Sequence, residues 1–108
     1  MGIDMEKIAE DMGMDVEDIK ELFGLYVETT ADDLAGLKDG LERGDAAQIH
    51  ERAHSIKGAS GNLGLIDFYE TVREIDERAL EKNLDGLEDI VGSFSNMFDA
   101  FTEEFEAS

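Results

Sequence analysis

The residues best suited to chemistry lie in one run, Ala53-His54-Ser55-Ile56-Lys57-Gly58-Ala59-Ser60-Gly61-Asn62-Leu63-Gly64. A free imidazole titrates at about pH 6.5, so a neutral histidine ring is available as a nucleophile near neutral pH. Lys57 follows His54 by three positions, which puts both on the same face of a helix. Its ammonium can reach an anionic group carried by the ring. Phosphoryl transfer asks for in-line positioning and compensation of oxygen charge rather than covalent help. Gly58, at i+4 from His54, removes a side chain where an incoming partner must approach. A mid-helix glycine costs about 1 kcal/mol against alanine, so Gly58 and Gly61 need a reason. The reading is a clear strip from Gly58 through Gly61 to Gly64.

A second pattern shares these letters. His50-Glu51-Arg52-Ala53-His54 spells the zinc-protease motif, with two histidines at i and i+4 and an acid after the first. That reading makes the chain a zinc hydrolase using His50, Glu51 and His54, and it needs a third ligand. The longer string around His54 outweighs it, which leaves His50 as a solvated or edge residue.

The elements that must position His54 are helical throughout, because apolar residues recur at 3.6 rather than 2.0. A short first helix runs from about Asp4 to Met12, with Met5, Ile8, Ala9 and Met12 on one side. Asp15 caps a long second helix striped with Val16, Ile19, Phe23, Tyr26, Val27, Thr30, Leu34, Leu37 and Leu41. It reaches about Arg43, weakened locally by Gly24, Gly36 and Gly40. Gly44 is a C′ stop and Asp45 the next N-cap, with Gln48 closing a capping box. The third helix buries Ile49, Ala53, Ile56, Ser60 and Leu63 and stops near Gly64. A fourth spans about Ile66 to Lys82 with Phe68, Val72, Ile75 and Ala79 inward, and Asn83 as its stop. The last runs from about Asp85, with Leu87, Val91, Phe94, Phe98, Phe101 and Phe105 on its apolar side. Four substantial amphipathic helices with short connections predict an all-α, antiparallel up-down four-helix bundle, with the short N-terminal helix capping one end.

The 108 residues fit one domain, 1–108, with one core. There is no cysteine, which excludes disulfides and thiolate chemistry, and no proline to break a long helix. No apolar run is long enough for a membrane span or a signal-peptide core. A cytoplasmic monomer is expected. The net charge is −19, from 28 acidic and 9 basic residues, which disfavours nucleic acid and anionic membranes as partners. Arg52, Lys57, Arg73 and Arg78 fall in or just after the His54 segment, so its surroundings should be less acidic than the rest.

The string resembles the histidine-containing phosphotransfer (HPt) domain family, whose pattern is close to His-x-x-Lys-Gly-[Ala/Ser]-[Ala/Ser]-x-x-[Leu/Phe]-Gly. Here it stands as His54, Lys57, Gly58, Ala59, Ser60, Leu63 and Gly64. The resemblance implies that His54 Nε2 takes a phosphoryl group from a receiver aspartate or a kinase and passes it on. It implies that Lys57 steadies the phosphoryl oxygens and Gly58 permits docking. Family members carry a Glu or Gln on the next helix that bonds the histidine, and counting without gaps gives that place to Asp76. An acceptor at Nδ1–H would leave Nε2 free to attack, though aspartate is one methylene shorter. Arg73, one turn earlier, is read as a surface residue. By the same resemblance the chain is a phosphocarrier rather than an enzyme. It needs no cofactor or metal of its own, and Mg²⁺ sits on the receiver partner. A response-regulator receiver domain, a histidine kinase, or both are its partners.

Two other functions fit the same residues less closely. One is the phosphoacceptor domain of a chemotaxis-type histidine kinase. The other is a non-catalytic helical module that binds a partner without phosphorylation.

Overall fold

Capping chemistry sets the helix boundaries, and through them the position of His54. The computed structural model describes residues 4–107. These form α1 (Met5–Met12), α2 (Val16–Arg43), α3 (Ala46–Asn62), α4 (Ile66–Leu80) and α5 (Leu87–Ala107), with no strand among the described residues. Asp4 caps α1 by accepting from the Lys7 amide at 3.0 Å. Asp15 stands at the N-cap of α2 in extended geometry, without a side-chain cap bond.

The turn from α2 into α3 is as tight as the sequence predicts. Gly44 takes the left-handed conformation at φ 64°. The Asp45 amide reaches back to the Gly40 carbonyl at 2.8 Å and the Gly44 amide to that of Leu41 at 3.3 Å. This double bond pattern closes the orphan carbonyls of α2. Asp45 then accepts from the Gln48 amide at 3.1 Å to start α3. The expected capping box is only half formed. The Gln48 side chain instead donates to the Gly36 carbonyl at 2.7 Å and to Asp39 at 3.0 Å. The missing side chains of α2 allow this. A Cβ at Gly40 would come within 3.2 to 3.3 Å of Ile49 and Gln48, and one at Gly36 would strike Arg52. Gly40 thus lets α3 approach α2 closely, and Gly36 leaves room for the Arg52 side chain, rather than merely weakening α2.

Two other boundaries differ from the sequence reading. Helix α4 ends at Leu80, and the left-handed residue is Lys82, at φ 58°, not Asn83. Lys82 and Asn83 amides close on Ala79 and Arg78 carbonyls at 3.0 and 2.9 Å. Those bonds offset a conformation that costs a non-glycine residue about 1 kcal/mol. Helix α5 starts at Leu87, because Gly86 is still left-handed at φ 75°. Arg78 ties this loop by donating to the Asp85 carbonyl at 2.9 Å.

Packing runs α2 on α3, α3 on α4, α4 on α5 and α5 back on α2, with α1 on α2. The main core holds Tyr26, Leu34, Leu37, Ile49, Ala53, Ile56, Val72, Ile75, Leu87 and Phe94 among others. Its aromatic rings meet mostly edge to face, as in Tyr26 with Phe68 at 6.3 Å and Phe68 with Phe94 at 5.6 Å. A second cluster of Met5, Ala9, Ile19 and Phe23 joins α1 to α2, with Phe101 and Phe105 against it. Both clusters draw on the stripes expected from the 3.6 period. One buried polar pair locks α3 to α2: Tyr26 Oη and Ser60 Oγ lie 2.8 Å apart. Burial pushes the Tyr26 hydroxyl up from its ordinary pKa, against the lowering effect of the Ser60 bond. Ser60, a member of the sequence string, is thus a core hydroxyl facing Tyr26.

Candidate functional site

Helix α3 turns Ile49, Ala53, Ile56 and Ser60 into the core. The same 3.6 period leaves His50, His54 and Lys57 on one adjoining stripe. His54 is well exposed, with 66% of its side chain accessible. Lys57 is 24% exposed and His50 is 37% exposed. Asp76 faces them from α4, and its side chain is only 2% exposed.

Asp76 is the hub. Its Oδ2 accepts from Lys57 Nζ at 3.0 Å. Its Oδ1 is hydrogen-bonded to His50 Nδ1. His54 Nδ1 lies 3.8 Å from Oδ2, beyond hydrogen-bond reach. The buried carboxylate is therefore satisfied by two nitrogens, and the ring of His54 stands just outside the pair. His50 stands at the edge of the core, as the sequence reading has it, and its hydrogen bond to Asp76 adds a role which that reading does not contain. Its i, i+4 spacing puts it on the stripe of His54 and Lys57, but the contact with Asp76 is made across two helices and spacing alone does not give it.

Burial acts to raise the Asp76 carboxyl pKa. Hydrogen bonds and charge from His50 and Lys57 outweigh it and hold the group below its ordinary value. A carboxyl depressed on folding adds stability above its unfolded pKa, and that contribution is lost as pH falls through the folded value. Asp76→Asn is accordingly expected to lower Tm at neutral pH and to flatten the acid side of the Tm profile. Thermal melts of both proteins between neutral and strongly acidic pH check this.

The three glycines of the string have separate causes. A Cβ at Gly58 would meet nothing within 4 Å, so open space lies beside His54 and Lys57. A Cβ at Gly61 would press on the Tyr69 ring at 3.3 Å, so this glycine serves helix packing. Gly64 is left-handed, at φ 70°, in the turn that ends α3. A Cβ at Gly64 would also meet nothing within 4 Å, so the expected clear strip is open at Gly58 and Gly64 and interrupted at Gly61 by Tyr69.

The other cations do not pool around His54. Arg52 bonds Asp32 at 3.3 Å and Asp33 at 3.1 Å on α2. Arg73 is exposed, with its Nε 3.9 Å from Glu77. Arg78 reaches Glu74 at 3.4 Å. Each finds an acid in this acidic chain, so Lys57 is the cation that joins the His54 cluster. His50 and His54 rings are tilted neighbours with centroids 5.6 Å apart. Among the described residues no three His, Cys, Asp or Glu side chains are grouped to hold a metal ion, so the zinc reading lacks its third ligand. No helix among those residues is long and apolar enough to cross a membrane.

Comparison with known proteins bears on this geometry. The family model described as "Hpt domain" matches residues 21–106. Among solved structures, the chain is similar to histidine-containing phosphotransfer protein B (HptB) from Pseudomonas aeruginosa PAO1. The TM-score is 0.78 at 23% identity, covering 96% of this chain and 91% of that one. This likeness concerns the fold. No curated protein matches the chain.

Proposed function

The chain belongs to the Hpt domain family and is a histidine phosphocarrier of a phosphorelay, and we propose that His54 is the residue that carries the phosphoryl group. The single observation behind this is the placement of an exposed imidazole beside a cation and an open glycine on one helix face. In the proposed transfer, the Nε2 lone pair of neutral His54 forms the N–P bond. The O–P bond of the donor's aspartyl phosphate breaks, and its electron pair leaves on the aspartate carboxylate. No proton needs to move. The ring keeps its Nδ1 proton and becomes cationic, and the nearby Asp76 carboxylate offsets that charge. Lys57 Nζ compensates the phosphoryl oxygens. Gly58 gives the partner's acidic pocket room to close on Nε2. In reverse, the cationic ring is a good leaving group, so the same groups serve acceptance and donation.

Hpt domains work with receiver domains and histidine kinases. For this chain we favour exchange with a receiver aspartate, with Mg²⁺ bound in the receiver's pocket and no cofactor held here. The short turns at Gly44 and Gly64 favour an antiparallel up-down ring of α2 to α5, with α1 capping the end where Phe23, Phe101 and Phe105 meet. We read residues 1–108 as one such domain, acting as a cytoplasmic monomer.

Incubating the purified chain with phosphorylated receivers tests the reading. Acid-labile, alkali-stable label should appear on this chain and should depend on the receiver's aspartate. Label that appears only with ATP and a kinase would assign the chain to the chemotaxis-type arrangement. Absence of label from every donor would leave a non-catalytic interaction module.

A further inference from the structure

Three nitrogens surround one buried carboxylate, yet the ring proposed to react is the one without a hydrogen bond to it. His50, His54 and Lys57 occupy positions i, i+4 and i+7 of α3, and Asp76 faces the middle of that stripe from α4. Asp76 Oδ1 belongs to His50, and Oδ2 to Lys57 at 3.0 Å, with His54 Nδ1 at 3.8 Å.

Arrival of a phosphoryl group on His54 Nε2 changes the demands on this cluster. The oxygens bring negative charge, which attracts Lys57 Nζ away from Asp76. The ring becomes cationic, which draws its Nδ1–H toward a carboxylate oxygen. If Lys57 were the sole donor to Asp76, its departure would strand a buried carboxylate, and an unsatisfied buried charge is strongly unfavourable. His50 removes that obstacle, because Oδ1 stays bonded throughout. The vacated Oδ2 then needs to close on His54 Nδ1 by only about 1 Å to form a hydrogen bond.

We infer that His50 is a positioning residue for the reaction at His54, holding the Asp76 carboxylate in place while Lys57 turns from it to the phosphoryl group. This rests on His54 as the phosphoacceptor. His50 touches no reacting atom and acts through Asp76. Its donor atom is Nδ1, whose place an asparagine amide nitrogen can take and an alanine cannot.

The test uses the full chain as wild type, His50→Ala, His50→Asn and His54→Gln, with one phosphorylated receiver as donor. Single-turnover transfer is followed against receiver concentration, and the Nδ1–H of phosphorylated His54 is read from its ring ¹⁵N and ¹H shifts. His50→Ala should slow the limiting rate about tenfold. The half-saturating concentration should stay unchanged, since the docking face at Gly58 is untouched. In the phosphorylated protein the His54 Nδ1–H should lose its hydrogen bond to Asp76. His50→Asn should recover most of the rate and of that hydrogen-bond signal. Wild-type rate and a wild-type Nδ1–H signal in His50→Ala would overturn the inference. So would equal slowing by alanine and asparagine, which would mean that the imidazole serves only by filling space. Label on His54→Gln at the wild-type level is a different outcome: it removes His54 as phosphoacceptor, whatever the His50 variants do.

Discussion

His54→Gln is expected to abolish phosphoryl acceptance while leaving the fold and Tm essentially unchanged. Glutamine approximates the length of the ring and keeps a polar tip, but its amide offers no nucleophilic nitrogen lone pair. The substitution costs little in stability because the side chain is 66% exposed and makes no hydrogen bond shown at Asp76. Exposed positions of this kind change stability by less than about 0.5 kcal/mol. That corresponds to a shift of at most a few degrees in a domain of this size. Label transfer from a phosphorylated receiver and a thermal melt of the same preparation measure the two halves. A protein that melts like wild type and takes no label separates chemistry from folding. A variant that still takes label would place the acceptor elsewhere, with His50 the nearest ring.

Gly58→Leu is expected to lose transfer while gaining stability. The position lies inside α3, where glycine is worse than leucine by about 1 kcal/mol. No neighbouring atom lies within 4 Å of the added Cβ, so the fold accepts the side chain. A docked partner meets it beside His54 and Lys57. A displacement of about 1 Å between reacting atoms can cost a hundredfold in rate, and a leucine side chain imposes more than that. The half-saturating receiver concentration should rise and the limiting rate should fall, with helix content intact. Gly61→Leu provides the contrast. Its Cβ would press on Tyr69 at 3.3 Å, so stability should fall. Two glycines three residues apart should thus respond with opposite signs in Tm.

Much of this was legible in the sequence, for reasons that can be located. The stripe from Ile19 to Leu37 is long and regular, and it predicts α2 nearly to the residue. Gly44 followed by Asp45 is legible because each has a local job, one as a left-handed stop and the other as a cap. The string from His54 to Gly64 is legible because it lies within one helix and its end. What escaped is what depends on contacts between helices. Gln48 carries the letter for a capping box, yet Gly36 opens a carbonyl across the α2–α3 interface and the side chain goes there. Lys82 carries no left-handed signature, and only the bonds to Ala79 and Arg78 carbonyls hold it there. The arginines suggested a basic neighbourhood, but opposite charges on their own and adjoining helices claimed them. Counting along the chain puts Asp76 opposite His54, while its bond to His50 follows only from the packing of α3 on α4.

The central claim concerns one atom, Nε2 of His54. The most direct measurement is to locate the label in receiver-phosphorylated wild-type protein by peptide fragmentation under alkaline conditions, with ³¹P NMR to identify the phosphoramidate. The expected result is a single phosphoryl group on the peptide carrying His54, bonded through Nε2. A phosphoryl group on His50, on Nδ1 of His54, or on an acidic side chain would contradict it.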